Sequence, residues 1–133
     1  MNSKNIDFRY LLDKACAAFG ETQGQVMFRF HDFPICLVHY LDKKECIDCI
    51  EISFDRENAL VTYYFDRGEV NKSALITFFN ALDPDLFINY LTESAYEYCY
   101  RKKYWLVDGK YCIKLDENKF GTQFFLFRLA DAK

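Results

Sequence analysis

The sequence predicts an α+β fold: an N-terminal helix, an antiparallel β-meander, a helical pair and C-terminal strands in one sheet. Three observations favour this class. Apolar residues first recur at helical spacing, then alternate at every second position, and alternate again after a further helical stretch. The 133 residues are 51% hydrophobic, with only two prolines and five glycines. We therefore expect a single globular domain over residues 1–133.

The composition restricts where the protein acts and what it binds. Lysine and arginine total 17 against 20 acidic residues, which gives a net charge of −3. This balance disfavours duplex nucleic acid, which requires a basic surface. No segment approaches the ~20 apolar residues of a membrane span, and the first ten residues lack the apolar core of a signal peptide. We expect a cytoplasmic protein that has neither a membrane nor a nucleic acid as its partner.

The first helix is predicted over residues 5–20. Ser3 or Asn5 can cap its N-terminus, and Gly20 suits the left-handed position that follows a helix. Its apolar residues form one stripe with the spacing i, i+3, i+4, i+7, i+8 and i+11. They are Phe8, Leu11, Leu12, Ala15, Cys16 and Phe19.

The meander is predicted to have four strands, because four segments alternate apolar and polar residues between short polar turns. They are residues 25–31, 35–41, 46–54 and 59–65. The alternation implies that one face of the sheet is packed and the other at least partly exposed.

Two helices are predicted next, over residues 72–82 and from Pro84 to Arg101. Asp83-Pro84 is a helix start signal, and basic residues 101–103 suit a helix end. Asp108-Gly109 predicts a type I′ hairpin turn, after which residues 111–115 and 120–129 complete the sheet. The residues expected deepest in the core are Leu12, Phe28, Ile50, Ile52, Phe79 and Leu91.

The six cysteines raise the hypothesis of a zinc site. Cys36-x-x-His39 and Cys46-x-x-Cys49 supply four residues of zinc-ligand type. Both pairs lie in predicted strands, where residues three apart point to opposite faces. We therefore expect no metal site and no cofactor, and cysteines that pack as small apolar side chains.

The sequence contains none of the catalytic motifs that we compared with it. The chain lacks a Gly-x-Ser-x-Gly motif and a glycine-rich phosphate loop, and its two histidines, His31 and His39, are the candidate bases. No catalytic residue is predicted. We expect a non-catalytic protein-interaction module of chaperone, adaptor or toxin-neutralising type that uses an aromatic sheet face or edge. The alternative is a small enzyme or ligand-binding domain with a pocket of scattered Tyr, His and Cys.

The predicted interaction surface comprises Phe125, Phe127, Tyr100 and Trp105. In a strand over residues 124–129, Phe125 and Phe127 point away from Phe124 and Leu126, so both faces are apolar. Such a strand is either covered on both sides or left with a surface for a partner. We expect a protein partner or self-association through Phe125 and Phe127.

Residues 96–105 interleave aromatic rings with three consecutive basic residues. We interpret this segment as the end of a helix. A stacking platform for single-stranded nucleic acid is the less favoured alternative, because such a groove needs a longer basic track.

Overall fold

The computed structural model describes residues 6–41, 46–66, 70–94, 96–118 and 121–131, and their side chains except at positions 39–41, 46–48, 66 and 118. The helices are α1 (Phe8–Ala17), α2 (Gln23–Arg29) and α3 (Asp83–Glu93). The strands are β1 (Ile35–Leu41), β2 (Cys46–Phe54), β3 (Ala59–Asp66), β4 (Asn71–Phe78), β5 (Glu97–Cys99), β6 (Tyr104–Val107), β7 (Tyr111–Asn118) and β8 (Gly121–Arg128). A 3₁₀ turn, Leu129–Asp131, follows β8.

The strands form one antiparallel sheet in the order β1-β2-β3-β4-β8-β7-β6-β5. It consists of two meanders, which meet where β4 pairs with β8 and Leu75 lies opposite Phe125. The short strand β5 and the seven-residue strand β1 are the two edges. The predicted α+β class with an antiparallel sheet is confirmed, and the predicted order of elements is confirmed only in part.

The three helices cover one face of the sheet. Phe87 of α3, for example, packs edge-on against Phe124 of β8, with ring centroids 4.7 Å apart. The helices contribute to the core mainly Phe8, Leu11, Leu12, Ala15, Val26, Phe87 and Leu91. The strands contribute Ile50, Ile52, Phe54, Ala59, Val61, Tyr63, Phe65, Ala74, Ile76, Phe78, Val107, Ile113, Phe124 and Leu126. Within the described ranges, no helix has the length and apolar character needed to cross a membrane.

Helix α1 forms where it was predicted, and its whole predicted stripe is buried. Asp7 caps it by accepting a hydrogen bond from the backbone N–H of Tyr10 at 2.9 Å; the predicted caps, Ser3 and Asn5, lie outside the described residues. The chain leaves the helix through Gly20, whose φ of +85° is the left-handed conformation expected there.

The strand predicted over residues 25–31 is wrong, because this segment forms α2. Thr22 and Gln25 form a capping box: each side chain hydrogen-bonds the backbone N–H of the other. Val26 and Phe30, four residues apart, are buried. Phe28 points outward and is 80% exposed, which contradicts its predicted place in the core.

The helix predicted over residues 72–82 is also wrong. Residues 71–78 form β4, and Ala74, Ile76 and Phe78 alternate into the core with the period of a strand. Pairing with both β3 and β8 selects the extended conformation. Phe79 lies just beyond the strand and is 61% exposed, so its predicted burial is wrong.

The predicted helical pair is therefore a single helix, α3. It starts at Asp83-Pro84 as predicted but ends at Glu93. Residues 97–107 form the hairpin β5–β6 instead of continuing the helix to Arg101. At the next turn, Asp108 and Gly109 have φ values of 54° and 69°, which confirms the predicted turn. Strand β7 continues to Asn118, beyond the end predicted at residue 115.

Candidate interaction face

We call the face of the sheet opposite the helices the open face. The strand register shows which residues lie on it. Antiparallel partners share a face, so the residues that alternate with the core residues lie on this side. None of them belongs to the core cluster. Its described apolar side chains are Cys36, Val38, Cys49, Leu60, Tyr64, Leu75, Cys99, Tyr104, Leu106, Cys112, Phe125 and Phe127. Cys49 and Cys112 are buried, and the other ten side chains form a partly exposed apolar surface that the helices leave uncovered.

Three aromatic rings form a row on the open face. The ring of Tyr104 packs edge-on against Phe127, with centroids 5.9 Å apart, and Phe127 lies 6.3 Å from Phe125. Phe125 is 38% exposed and Phe127 is half-buried. Because the row spans β6 and β8, its position depends on the packing of β7 between them.

Lysine side chains surround this row and form a groove of about 580 Å³. Its lining residues are Lys72, Ser73, Lys102, Tyr104, Lys114, Phe125, Phe127, Leu129 and Asp131. Within the described part of the chain, none of the three lysines forms an ion pair. The one acid of the lining, Asp131, accepts a hydrogen bond from the Arg128 guanidinium at 2.9 Å. The lining of the groove therefore combines an aromatic row with three lysine ammonium groups that have no ion-pair partner among the described residues.

The Tyr104 hydroxyl and the Cys112 thiol are both protonated at physiological pH. Desolvation and the neighbouring thiols of Cys112 and Cys99 raise the pKa of the Tyr104 hydroxyl. Burial raises the pKa of the Cys112 thiol above its usual value, although its hydrogen bond with Tyr104 acts in the opposite direction. A protonated, buried thiol is a poor nucleophile. Beside the row, Tyr104 therefore offers a hydroxyl donor, and the Cys112 thiol contributes to packing.

The open face brings together two of the four predicted interaction residues, Phe125 and Phe127. Trp105 points to the helix side, where it packs against Tyr98 at 5.0 Å and against the core. Tyr100 lies in the β5–β6 turn and is 83% exposed. Tyr104 was not among the predicted surface residues, because a helix was predicted to run to Arg101; the strand β6 places its side chain on the face opposite Trp105.

The sequence gives almost no indication that the three lysines of the groove lie close together. Lys102 belongs to the basic run 101–103, which was interpreted as a helix end, with a nucleic-acid stacking platform as the less favoured alternative. Lys72 and Lys114 are isolated residues on different strands, and only the β4–β8–β7 pairing brings them near Phe125.

The candidate zinc ligands lie on paired strands, as predicted. Cys36 is exposed on the edge strand β1, and Cys49 is buried on β2. The side chains of His39 and Cys46 lie outside the described residues. In the ranges that the structure describes, no three His, Cys, Asp or Glu residues are grouped as metal ligands.

The predicted alternative, a pocket of scattered Tyr, His and Cys, stays a prediction. His31 lines one groove with Phe28 and Arg29, and Cys16 lines another with Tyr111. Comparisons with known proteins add no functional information: no protein-family model matches the sequence, and neither a curated protein nor a solved structure matches it.

Proposed function

We propose that this protein is a non-catalytic interaction module that binds a partner protein through the open face. The observation that carries the proposal is the aromatic row of Tyr104, Phe127 and Phe125, which the helices leave uncovered. Exposed aromatic groups on a rigid sheet are typical of protein interfaces, where they supply large contact areas at small entropic cost. A role of chaperone, adaptor or toxin-neutralising type fits such a surface.

The chemistry of the cysteines supports a cytoplasmic location. Cys16, Cys36, Cys99 and Cys112 are free thiols, and no disulfide joins these four residues. Proteins that keep several free cysteines usually work in reducing compartments.

The experiment that tests the proposal selects peptides from a random display library on the immobilised full-length protein. The selected peptides are then labelled and titrated by fluorescence anisotropy. We expect Phe125→Glu to weaken their binding by at least about tenfold, because it places a charge at the centre of the contact. Phe125→Ser is the milder companion variant, and circular dichroism checks that both variants are folded.

Phe28→Glu is the matched control. It changes the same residue type at an even more exposed position, on α2 behind the sheet. We expect it to leave peptide binding unchanged. The proposal fails if no peptide is selected, or if Phe28→Glu and Phe125→Glu weaken binding equally.

A further inference from the structure

We infer that the segment bound at the open face is an acidic peptide stretch of the partner, with an aromatic or aliphatic side chain as its anchor; this rests on the proposed function. The inference concerns the three lysines around the aromatic row. Lys72 and Lys114 approach from β4 and β7, and Lys102 from the β5–β6 turn. Their convergence on one groove contrasts with the net charge of −3 of the whole chain.

The lysines are available to a ligand because the protein does not neutralise them. Each is exposed, and none has an ion-pair partner among the described residues. Asp131 is held by Arg128, so it does not cancel their charge. Glu97 and Asp116 also lie on the open face but do not line the groove. Carboxylates of a bound peptide would therefore meet unpaired ammonium groups at the rim, while an apolar anchor covers Phe125 and Phe127.

The same charges disfavour a second copy of this chain as the occupant. If two open faces met around a two-fold axis that passes through the groove, each lysine set would face its own symmetry mate. Like charges opposed across an interface weaken association. A partner with the opposite charge meets no such penalty.

Single-stranded nucleic acid is also a poorer fit than an acidic peptide. Successive bases stack on parallel aromatic platforms along a basic track. Here the ring of Tyr104 stands at 87° to that of Phe127, so the row presents no parallel ladder. Three lysines also make a short track, since one OB fold covers about 4–16 nucleotides.

The test compares two labelled peptides that share a central Trp-Leu pair, one flanked by glutamates and the other by glutamines. We expect the glutamate peptide to bind at least about tenfold more tightly at low salt, and the difference to shrink as salt screens the charges. The combined variant Lys72→Gln/Lys102→Gln/Lys114→Gln should abolish the difference. The control variant Lys14→Gln/Lys110→Gln removes two exposed lysines outside the groove and should preserve it.

The outcomes separate this inference from the proposed function. If both peptides bind equally and Phe125→Glu weakens both, the acidic partner is wrong and the open-face interface stands. If the glutamate peptide binds but Phe125→Glu has no effect, the interface itself is wrong. A preference for an oligothymidylate over the glutamate peptide, or no binding of either peptide, overturns the inference.

Discussion

Ile52 and Phe79 illustrate how differently two large apolar side chains contribute to stability. Ile52 is fully buried in the core, whereas Phe79 lies beyond the end of β4 and is 61% exposed. We expect Ile52→Ala to lower the free energy of unfolding by ~2–5 kcal/mol, because it removes core contacts and leaves a cavity. Phe79→Ala should cost less than ~1 kcal/mol. Urea denaturation of both variants measures the difference, and equal losses would contradict the described packing.

Because the thiol of Cys16 is buried, we expect the protein to lose stability at alkaline pH. Burial, together with the nearby carboxylates of Asp13 and Asp108, raises the pKa of this thiol from 9.0 to about 12. Between these values the folded protein keeps a proton that the unfolded chain has lost. The free energy of unfolding therefore decreases as the pH rises, by about 1.4 kcal/mol per pH unit from this group.

The variant Cys16→Ala isolates this contribution, because other buried groups such as Tyr63 titrate in both proteins. We expect wild type to lose stability more steeply than Cys16→Ala as the pH rises above 9. Urea unfolding over a pH series provides the measurement. Parallel pH profiles for the two proteins would show that the thiol is not shielded as described.

At the scale of elements, the β6–β7 turn requires glycine. Gly109 has a φ of +69°, a left-handed conformation that costs a residue with a Cβ roughly 1–2 kcal/mol. Gly109→Ala should therefore destabilise the protein by about 1 kcal/mol. Gly24 lies within α2, and a Cβ added there meets no atom within 4 Å. Gly24→Ala should instead be neutral or stabilising, by up to ~1 kcal/mol. Thermal unfolding compares the two; a melting temperature that falls equally in both would refute the turn geometry.

The elements that the sequence predicted correctly have a single strong pattern. The stripe of α1 and the Asp108-Gly109 turn are local signals, and both formed as expected. Residues 25–31 carry two signals at once: apolar alternation typical of a strand, and the Thr22–Gln25 capping box of a helix. The capping box and the four-residue spacing of the buried Val26 and Phe30 both favour a helix, and the segment forms α2.

The helix predicted over residues 72–82 was wrong for a different reason. The apolar side chains of residues 71–78 fit one helix face and one strand face almost equally well, so the segment itself does not determine its conformation. The choice depends on β8, whose paired residues are about fifty positions away in the sequence. The groove shares this dependence, since Lys72, Lys114 and Phe125 become neighbours only through the same long-range pairing. The sequence could therefore predict Phe125 and Phe127 as surface candidates but not the charges around them.

At the scale of the whole molecule, the arrangement of helices and sheet in two layers determines which surface is open to a partner. Three helices cover one face of an eight-stranded sheet, and the aromatic row remains on the other. The sequence predicted either a protein partner or self-association. Self-association through Phe127 would bring together two grooves that are each lined by three lysines. Because the opposed ammonium groups repel most strongly at low ionic strength, we expect a monomer under those conditions.

Sedimentation velocity at micromolar concentration, in low and high salt, measures this directly. High salt shortens the screening length to about 3 Å at 1 M, so a weak dimer that forms through the apolar row should appear only there. The Phe127→Glu variant should then abolish that dimer, whereas Phe28→Glu, on the helical side, should not. A dimer that forms at low salt and is lost in Phe127→Glu would show that the lysines do not oppose pairing of two open faces, and a second copy would then replace the acidic partner as the occupant of the groove.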